Sequence, residues 1–195
     1  MNERFERFEK QDLQVALDNL RNGKVILYPT DTIWGLGCDA LNPDAIEKIY
    51  TLKGRDRNKS MLILLENENQ LLSYVKEVPE VAYQLIEFSD RPMTIVYEGA
   101  KNLPENLLAA DGSIGIRIVR DPFCQELIRR FRRPIVSTSA NLSGEPSPEH
   151  FDEISEKLKD EVDYIVNYGQ QRSEKRAPSI IMKLDASGKF EFIRK

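Results

Sequence analysis

Apolar and polar positions alternate along this chain with two different periods. Leu13, Leu17 and Leu20 recur at helical spacing and Asn22-Gly23 stops them, which predicts a helix over residues 11–21. Lys24 to Tyr28 reads as a short apolar strand ending at Pro29. Asn42-Pro43 opens a second helix, with Asn as the cap, Pro in the first turn, and Ile46, Ile49 and Tyr50 as its stripe. Ser60 to Leu65 has the uninterrupted apolar character of a buried strand. Helical patterns return over 68–76 and again after Pro79, through Val81, Leu85, Ile86 and Phe88. Met93–Tyr97 is a strand, and in the next one Ile114, Ile116 and Ile118 alternate with Gly115, Arg117 and Val119. Asp121-Pro122 caps a helix carrying Phe123, Leu127, Ile128 and Phe131, followed by a strand over 134–137. Ser147-Pro148 is expected to open a helix bearing Phe151, Ile154 and Leu158. Strands near 162–167, 179–184 and 189–194 complete the chain, the last two joined by an Ala186-Ser187-Gly188 hairpin turn. Such alternation predicts an α/β fold: a twisted mixed sheet flanked by helices. With no repeat or linker, residues 1–195 read as one domain, with a polar loop at 173–176.

Composition narrows the function classes. The chain is 41% hydrophobic and 31% charged, a globular balance. Met1 to Lys10 is charged and has no apolar leader core, and the longest apolar runs fall far short of the roughly 20 residues that span a bilayer. A soluble, cytoplasmic protein is expected, with no membrane partner. Cys38 and Cys124 are expected to be reduced thiols, since two cysteines make no disulfide framework. His150 is the only histidine, which excludes a multi-His zinc site and leaves any His-dependent nucleophile a single candidate. It falls in the first turn of the helix expected after Ser147. No metal is expected on protein side chains. The net charge of −4 means that a polyanion must be met by a local patch.

Polar residues cluster where core strands end, the place where α/β folds bind ligands. Tyr28-Pro-Thr-Asp-Thr-Ile-Trp-Gly-Leu-Gly37 reads either as a plain turn or as a seat for a small zwitterion. Lys53, Arg55, Arg57 and Lys59 fall on every second residue. If extended, they form one positive strip of about 20 Å, suited to a triphosphate or an RNA backbone. Ser137, Thr138, Ser139, Asn141 and Ser143 supply uncharged donors and acceptors after a strand. Arg117 points away from the isoleucine face of its strand, towards a carboxylate, a phosphate or a surface partner. The run Arg129–Arg133 suits either the end of a helix dipole or an RNA backbone. There is no P-loop and no dinucleotide fingerprint.

In their order, Tyr28-Pro-Thr-Asp-Thr-Ile-Trp-Gly-Leu36, Lys53-Gly-Arg55, Gly115-Ile-Arg117 and Ser137-Thr-Ser-Ala-Asn141-Leu-Ser-Gly144 resemble the YrdC/YciO family of threonylcarbamoyl-AMP synthases over about residues 12–185. The resemblance implies a YrdC-like, DHBP synthase-like fold with a deep, positively charged cavity. It also implies a reaction of L-threonine, bicarbonate and ATP with Mg²⁺ that yields threonylcarbamoyl-AMP and pyrophosphate. The product would feed tRNA threonylcarbamoyl-transferase proteins, with tRNA or double-stranded RNA as a further partner. By carry-over, Lys53, Arg55, Lys59, Ser113, Ser139, Asn141 and Ser147 would hold ATP. Thr32, Arg117, Ser137 and Ser179 would hold threonine or its carbamate. Three places depart from the family: Leu64 stands where a His is frequent, Arg91-Pro92-Met93 replaces a Pro-Gly-Pro-like turn, and Ser179-Ile180 replaces a Ser-Thr pair. They leave open a YciO-like paralogue or an RNA-binding protein of the same fold. The resemblance is to the single-domain type, so the extra C-terminal domain of the family's longer members is not expected here.

Overall fold

A computed structural model describes residues 8–174 and 176–195; the charged opening at 1–7 and Lys175 in the polar loop lie outside the described residues. Helix α1 (Lys10–Arg21) buries Leu13, Leu17 and Leu20. Strands β1 (Ile26–Tyr28) and β2 (Gly35–Gly37) pair antiparallel. Gly-Leu-Gly carries no strand signal in sequence, and the reason is steric. A Cβ on Gly37 would lie 2.5 Å from Cε1 of Tyr28 and 2.8 Å from the Val136 carbonyl, so only glycine lets the Tyr28 ring cross this strand. Helix α2 (Pro43–Lys53) is capped by the Asn42 side chain, which accepts from the amides of Asp44 and Ala45 at 3.0 and 3.1 Å. Gly54 ends it in the left-handed region, at φ 56°.

Next come β3 (Leu62–Leu65), the short α3 (Leu71–Tyr74), α4 (Glu80–Phe88), β4 (Met93–Tyr97) and β5 (Ile114–Ile118). Helix α5 (Pro122–Phe131) follows, capped by Asp121, and then β6 (Ile135–Ser139). The helix expected from Ser147-Pro148 does not start there. Residues 151–153 make one tight 3-10 turn, and α6 (Glu156–Glu161) begins after Ser155, whose Oγ accepts the Leu158 amide at 3.3 Å. Ser155 is the better-placed cap, and Phe151 is drawn out of register to pack on Trp34, with ring centroids 4.8 Å apart. His150 therefore precedes a 3-10 turn with extended backbone. The chain ends with β7 (Tyr164–Ile165), β8 (Ile180–Leu184) and β9 (Phe190–Arg194).

Among the described residues nine strands join in the order β7-β1-β2-β6-β3-β5-β4-β8-β9. Three pairs are parallel (β1 with β7, β3 with β5, β4 with β8) and the rest antiparallel, which makes the sheet mixed. The pleat sends alternate residues to opposite faces. Ile63, Leu65, Ile95, Tyr97, Ile114 and Ile116 form one core with Ile46, Ile49 and Tyr50 of α2. On the other face, Tyr28, Leu64 and Ile135 are buried under apolar residues of α1 and α5. Those two helices cover part of that face only, and the rest is open.

Candidate active site

The uncovered part of the second face is the floor of a cavity of about 310 Å³. Leu62, Thr94, Val96, Gly115, Arg117, Ser137 and Ser139 come from four central strands, and the walls come from the 32–35 and 55–61 segments, Ser147, Ser179 and Arg194. Among the described residues that line it are three arginines and no carboxylate.

Arg117 is 3% exposed. One of its terminal nitrogens lies 3.3 Å from Asp31 Oδ1, while its Nε has no hydrogen-bond partner. A buried guanidinium edge left open in this way favours an anion in the cavity. Arg194 reaches in from β9 and donates through Nε and a terminal nitrogen to the Ser179 carbonyl, at 3.1 and 2.8 Å. Burial first, and the charge of Arg117 second, lower its pKa. Two cations sharing a cavity repel, and an anion between them relieves the repulsion. Burial likewise lowers the pKa of Arg55. Arg55 closes its own turn by donating to the carbonyls of Lys59 and Ser60, at 2.8 and 2.9 Å.

Hydroxyls join the arginines in the lining. Thr30 and Thr32 share a hydrogen bond of 2.9 Å, and the Thr30 hydroxyl donates to the Ile33 carbonyl at 2.8 Å, which fixes the loop after β1. Arg176 ties the same loop down by donating to the Thr30 carbonyl at 2.9 Å. The hydroxyls of Thr94 and Ser179 meet at 2.8 Å, both almost wholly buried. The Arg91-Pro92-Met93 turn still delivers Thr94 to the cavity, because the Pro92 carbonyl accepts the Ile180 amide at 3.0 Å and aligns β4 with β8.

The structure thus brings Thr32, Arg55, Arg117, Ser137, Ser139, Ser147 and Ser179 into one cavity. Lys53, Lys59, Ser113 and Asn141 are not part of its lining. The strip of alternating cations does not exist as an extended segment: α2 continues to Lys53, Gly54 turns the chain, and residues 55–60 curl back. Lys53 is buried and its ammonium donates to the carbonyls of Ser139 and Asn141, Arg57 pairs with Glu47 on the surface, and Lys59 is exposed. Ser113 donates to Asp111 at 2.5 Å. Asn141 donates to the carbonyls of Leu142 and Glu145, and its Oδ1 is left without a partner. Leu64 is fully buried beneath α1 and α5, away from the cavity.

Sequence reasoning missed Arg194, which lies beyond the motif strings in an edge hairpin whose pattern is aromatic. Ser60 and Trp34 line the cavity as well. The Arg129–Arg133 run does not. Glu126 accepts from Arg129 and Arg130, and Arg133 donates to Asp39 at 2.8 Å. Cys38 and Cys124 are free and buried. Among the described residues no group of three or more His, Cys, Asp or Glu is placed to hold a metal, and no helix is long and apolar enough to cross a membrane.

A family model named for Sua5, YciO and YrdC, and described as telomere recombination, matches residues 18–195. The chain belongs to the Sua5/YciO/YrdC family. A family member from Pseudomonas aeruginosa, named threonylcarbamoyl-AMP synthase, is 33% identical over 88% of this chain and 91% of its own length. Escherichia coli YciO superposes with a TM-score of 0.84 at 25% identity, covering 97% of this chain and 91% of that one. Pyrococcus abyssi Sua5, solved in complex with L-threonine, gives a TM-score of 0.82 at 28% identity. That match covers 92% of this chain and 52% of the Pyrococcus protein, so the chain spans about half of that relative. The family's sheet, flanked by helices and twisted, is the fold described above.

Proposed function

We propose that this protein is a threonylcarbamoyl-AMP synthase, a nucleotidyltransferase. The observation that carries the reading is one cavity lined by both arginines and hydroxyls. Thr32, Arg117, Ser137 and Ser179 face it with hydroxyls and an open guanidinium edge, suited to the carboxylate, hydroxyl and carbamate of N-carboxylated threonine. Arg55, Ser139 and Ser147 line the same cavity and are suited to nucleotide phosphates, and Arg194 stands near Arg117. The names of its relatives point the same way.

In this reading the threonine amine and bicarbonate form a carbamate with loss of water. A carbamate oxygen then attacks the α-phosphorus of ATP, the bond to the β-phosphate oxygen breaks, and pyrophosphate leaves. The carbamate is already nucleophilic, so no side chain has to remove a proton. The protein's share is to hold two anions in line and to stabilise charge on the phosphoryl oxygens with fixed donors. Mg²⁺ would enter as part of the nucleotide substrate, carried by its phosphates, with the cavity's hydroxyls as neutral oxygen neighbours. The activated product would pass to tRNA threonylcarbamoyl-transferase proteins in the cytoplasm, and tRNA would be the final acceptor.

The test is pyrophosphate release from ATP with threonine and bicarbonate omitted in turn, for the wild type and Arg55→Ala. Release that needs both substrates and is lost in the variant is expected. Release that ignores threonine would move the assignment to a YciO-like paralogue acting on another substrate, a reading favoured by the match to YciO.

A further inference from the structure

Lys53 ends α2 with 2% of its surface exposed. It falls on the same helical stripe as Ile46, Ile49 and Tyr50, so the helix drives its stem into the core. From there the ammonium donates to two backbone carbonyls, those of Ser139 and Asn141. The contact is reciprocated, because the Ser143 amide donates to the Lys53 carbonyl at 2.9 Å. Arg55, two residues on, gathers the turn that follows α2. Asn141 gathers its own loop through the Leu142 and Glu145 carbonyls. One ammonium is therefore the joint between a turn that carries Arg55 and a loop that carries Ser139.

The geometry points to Lys53 as a positioning residue, one that sets the distance between Arg55 and the Ser139–Asn141 loop instead of grasping nucleotide phosphates itself. This rests on the reading above that Ser139 and its loop face the nucleotide. Two carbonyls take two of the ammonium's three donors, and the residue is buried outside the cavity lining, so a phosphate in the cavity meets Arg55 and not Lys53. The charged groups whose fields reach Lys53 are Arg55, which opposes its charge, and Glu145, which favours it. Burial is the main cause that lowers the Lys53 pKa, to about 8. The joint therefore loosens within an accessible pH range.

A ligand series separates the two roles. Adenosine has no phosphate, so a phosphate ligand's loss leaves its binding intact, whereas a displaced loop weakens it. Binding of adenosine and of ATP with Mg²⁺ would be followed by NMR titration for wild type, Lys53→Met and Arg55→Ala. Lys53→Met is expected to weaken both ligands by a common factor, on the order of tenfold for a lost hydrogen bond to a charged group. Arg55→Ala is expected to weaken ATP and spare adenosine. Threonine binding to Lys53→Met should stay unchanged, and the Ser143 amide should exchange faster with solvent.

Loss confined to ATP in Lys53→Met would make Lys53 a phosphate ligand and overturn the inference, as would no loss at all. If the variant fails to fold, the wild type carries the test: adenosine affinity should fall as pH rises from 7 to 9.5, and a flat profile would overturn it. Wild type that binds neither adenosine nor ATP would bring down the nucleotide reading itself, and this inference with it.

Discussion

Asp31 and Arg117 meet 3.3 Å apart with side chains only 8% and 4% exposed, and the pair leaves the Arg117 Nε without a partner. The second Asp31 oxygen accepts the Arg120 amide at 3.0 Å, which anchors the carboxylate to the backbone after β5. Asp31 therefore fixes the guanidinium from behind and leaves its front to a ligand. In Asp31→Asn the shape survives and the charge does not. Stability should drop by about 3–5 kcal/mol, the cost of breaking a buried pair. A carboxylate ligand should restore part of that loss. Thermal unfolding with and without threonine reads both effects: the threonine-induced rise in Tm should be larger in the variant than in the wild type. An equal or smaller rise would show that Arg117 does not face the threonine carboxylate.

Gly37 is the second test, and it concerns the fold. A methyl group there meets the Tyr28 ring at 2.5 Å and the Val136 carbonyl at 2.8 Å. Tyr28 is fully buried and donates to that same carbonyl at 3.2 Å, so the ring has no room to retreat. Gly37→Ala should cost about 1–3 kcal/mol, the usual range for overpacking a core. Urea unfolding would show it as a lowered midpoint with an unchanged slope.

Arg194 carries the third. Its forked contact with the Ser179 carbonyl needs two nitrogens in one plane, which lysine does not offer. Pyrophosphate release should fall by about a hundredfold in Arg194→Ala if the guanidinium meets charge that develops on the phosphoryl group. Arg194→Lys should recover little of it. Full activity in the lysine variant would reduce Arg194 to a source of positive charge alone.

The buried ammonium of Lys53 gives a fourth, with a definite sign. Its pKa is lowered from 10.5 to about 8 by burial. Between those two values the unfolded chain holds more protons than the folded one, so folding stability rises with pH through that window. Relative to Lys53→Met, which cannot titrate, wild type should gain at most about 1.4 kcal/mol per pH unit. Urea midpoints at pH 7.5, 9 and 10.5 would show the gap moving in favour of wild type. A gap that stays constant would mean that the ammonium is solvated in the folded state.

Much of this architecture was legible because its signals are local. Asn42 and Asp121 announce helices through cap chemistry, and Ile114, Ile116 and Ile118 declare a strand through the pleat. Where the signals compete, local reading fails. Lys53, Arg55, Arg57 and Lys59 look like one face of an extended segment, yet the period of α2 already places Lys53 with Ile46, Ile49 and Tyr50 on the apolar stripe. Ser147 and Ser155 both look like caps, and only the packing of Phe151 on Trp34 decides between them. Gly35–Gly37 shows nothing in sequence, because its fitness for a strand depends on the Tyr28 ring that crosses it. Arg194 was illegible for a similar reason: its neighbours in the cavity are brought there by β8 and β4.

The strand order has a consequence for how the protein comes into being. Neighbours in the sheet include β2 with β6 and β4 with β8, and the cavity draws on residues from Thr32 to Arg194. Closing such loops costs entropy before any contact repays it. A nascent chain still emerging from the ribosome holds Thr32 and Arg55 long before the strands that give them a counterpart. A fragment that stops before β8 holds Arg55, Arg117 and Ser139 but lacks Ser179 and Arg194, so the cavity is complete only when β8 and β9 have paired. Stabilisation by a ligand in this cavity then requires β8 and β9 to be in place.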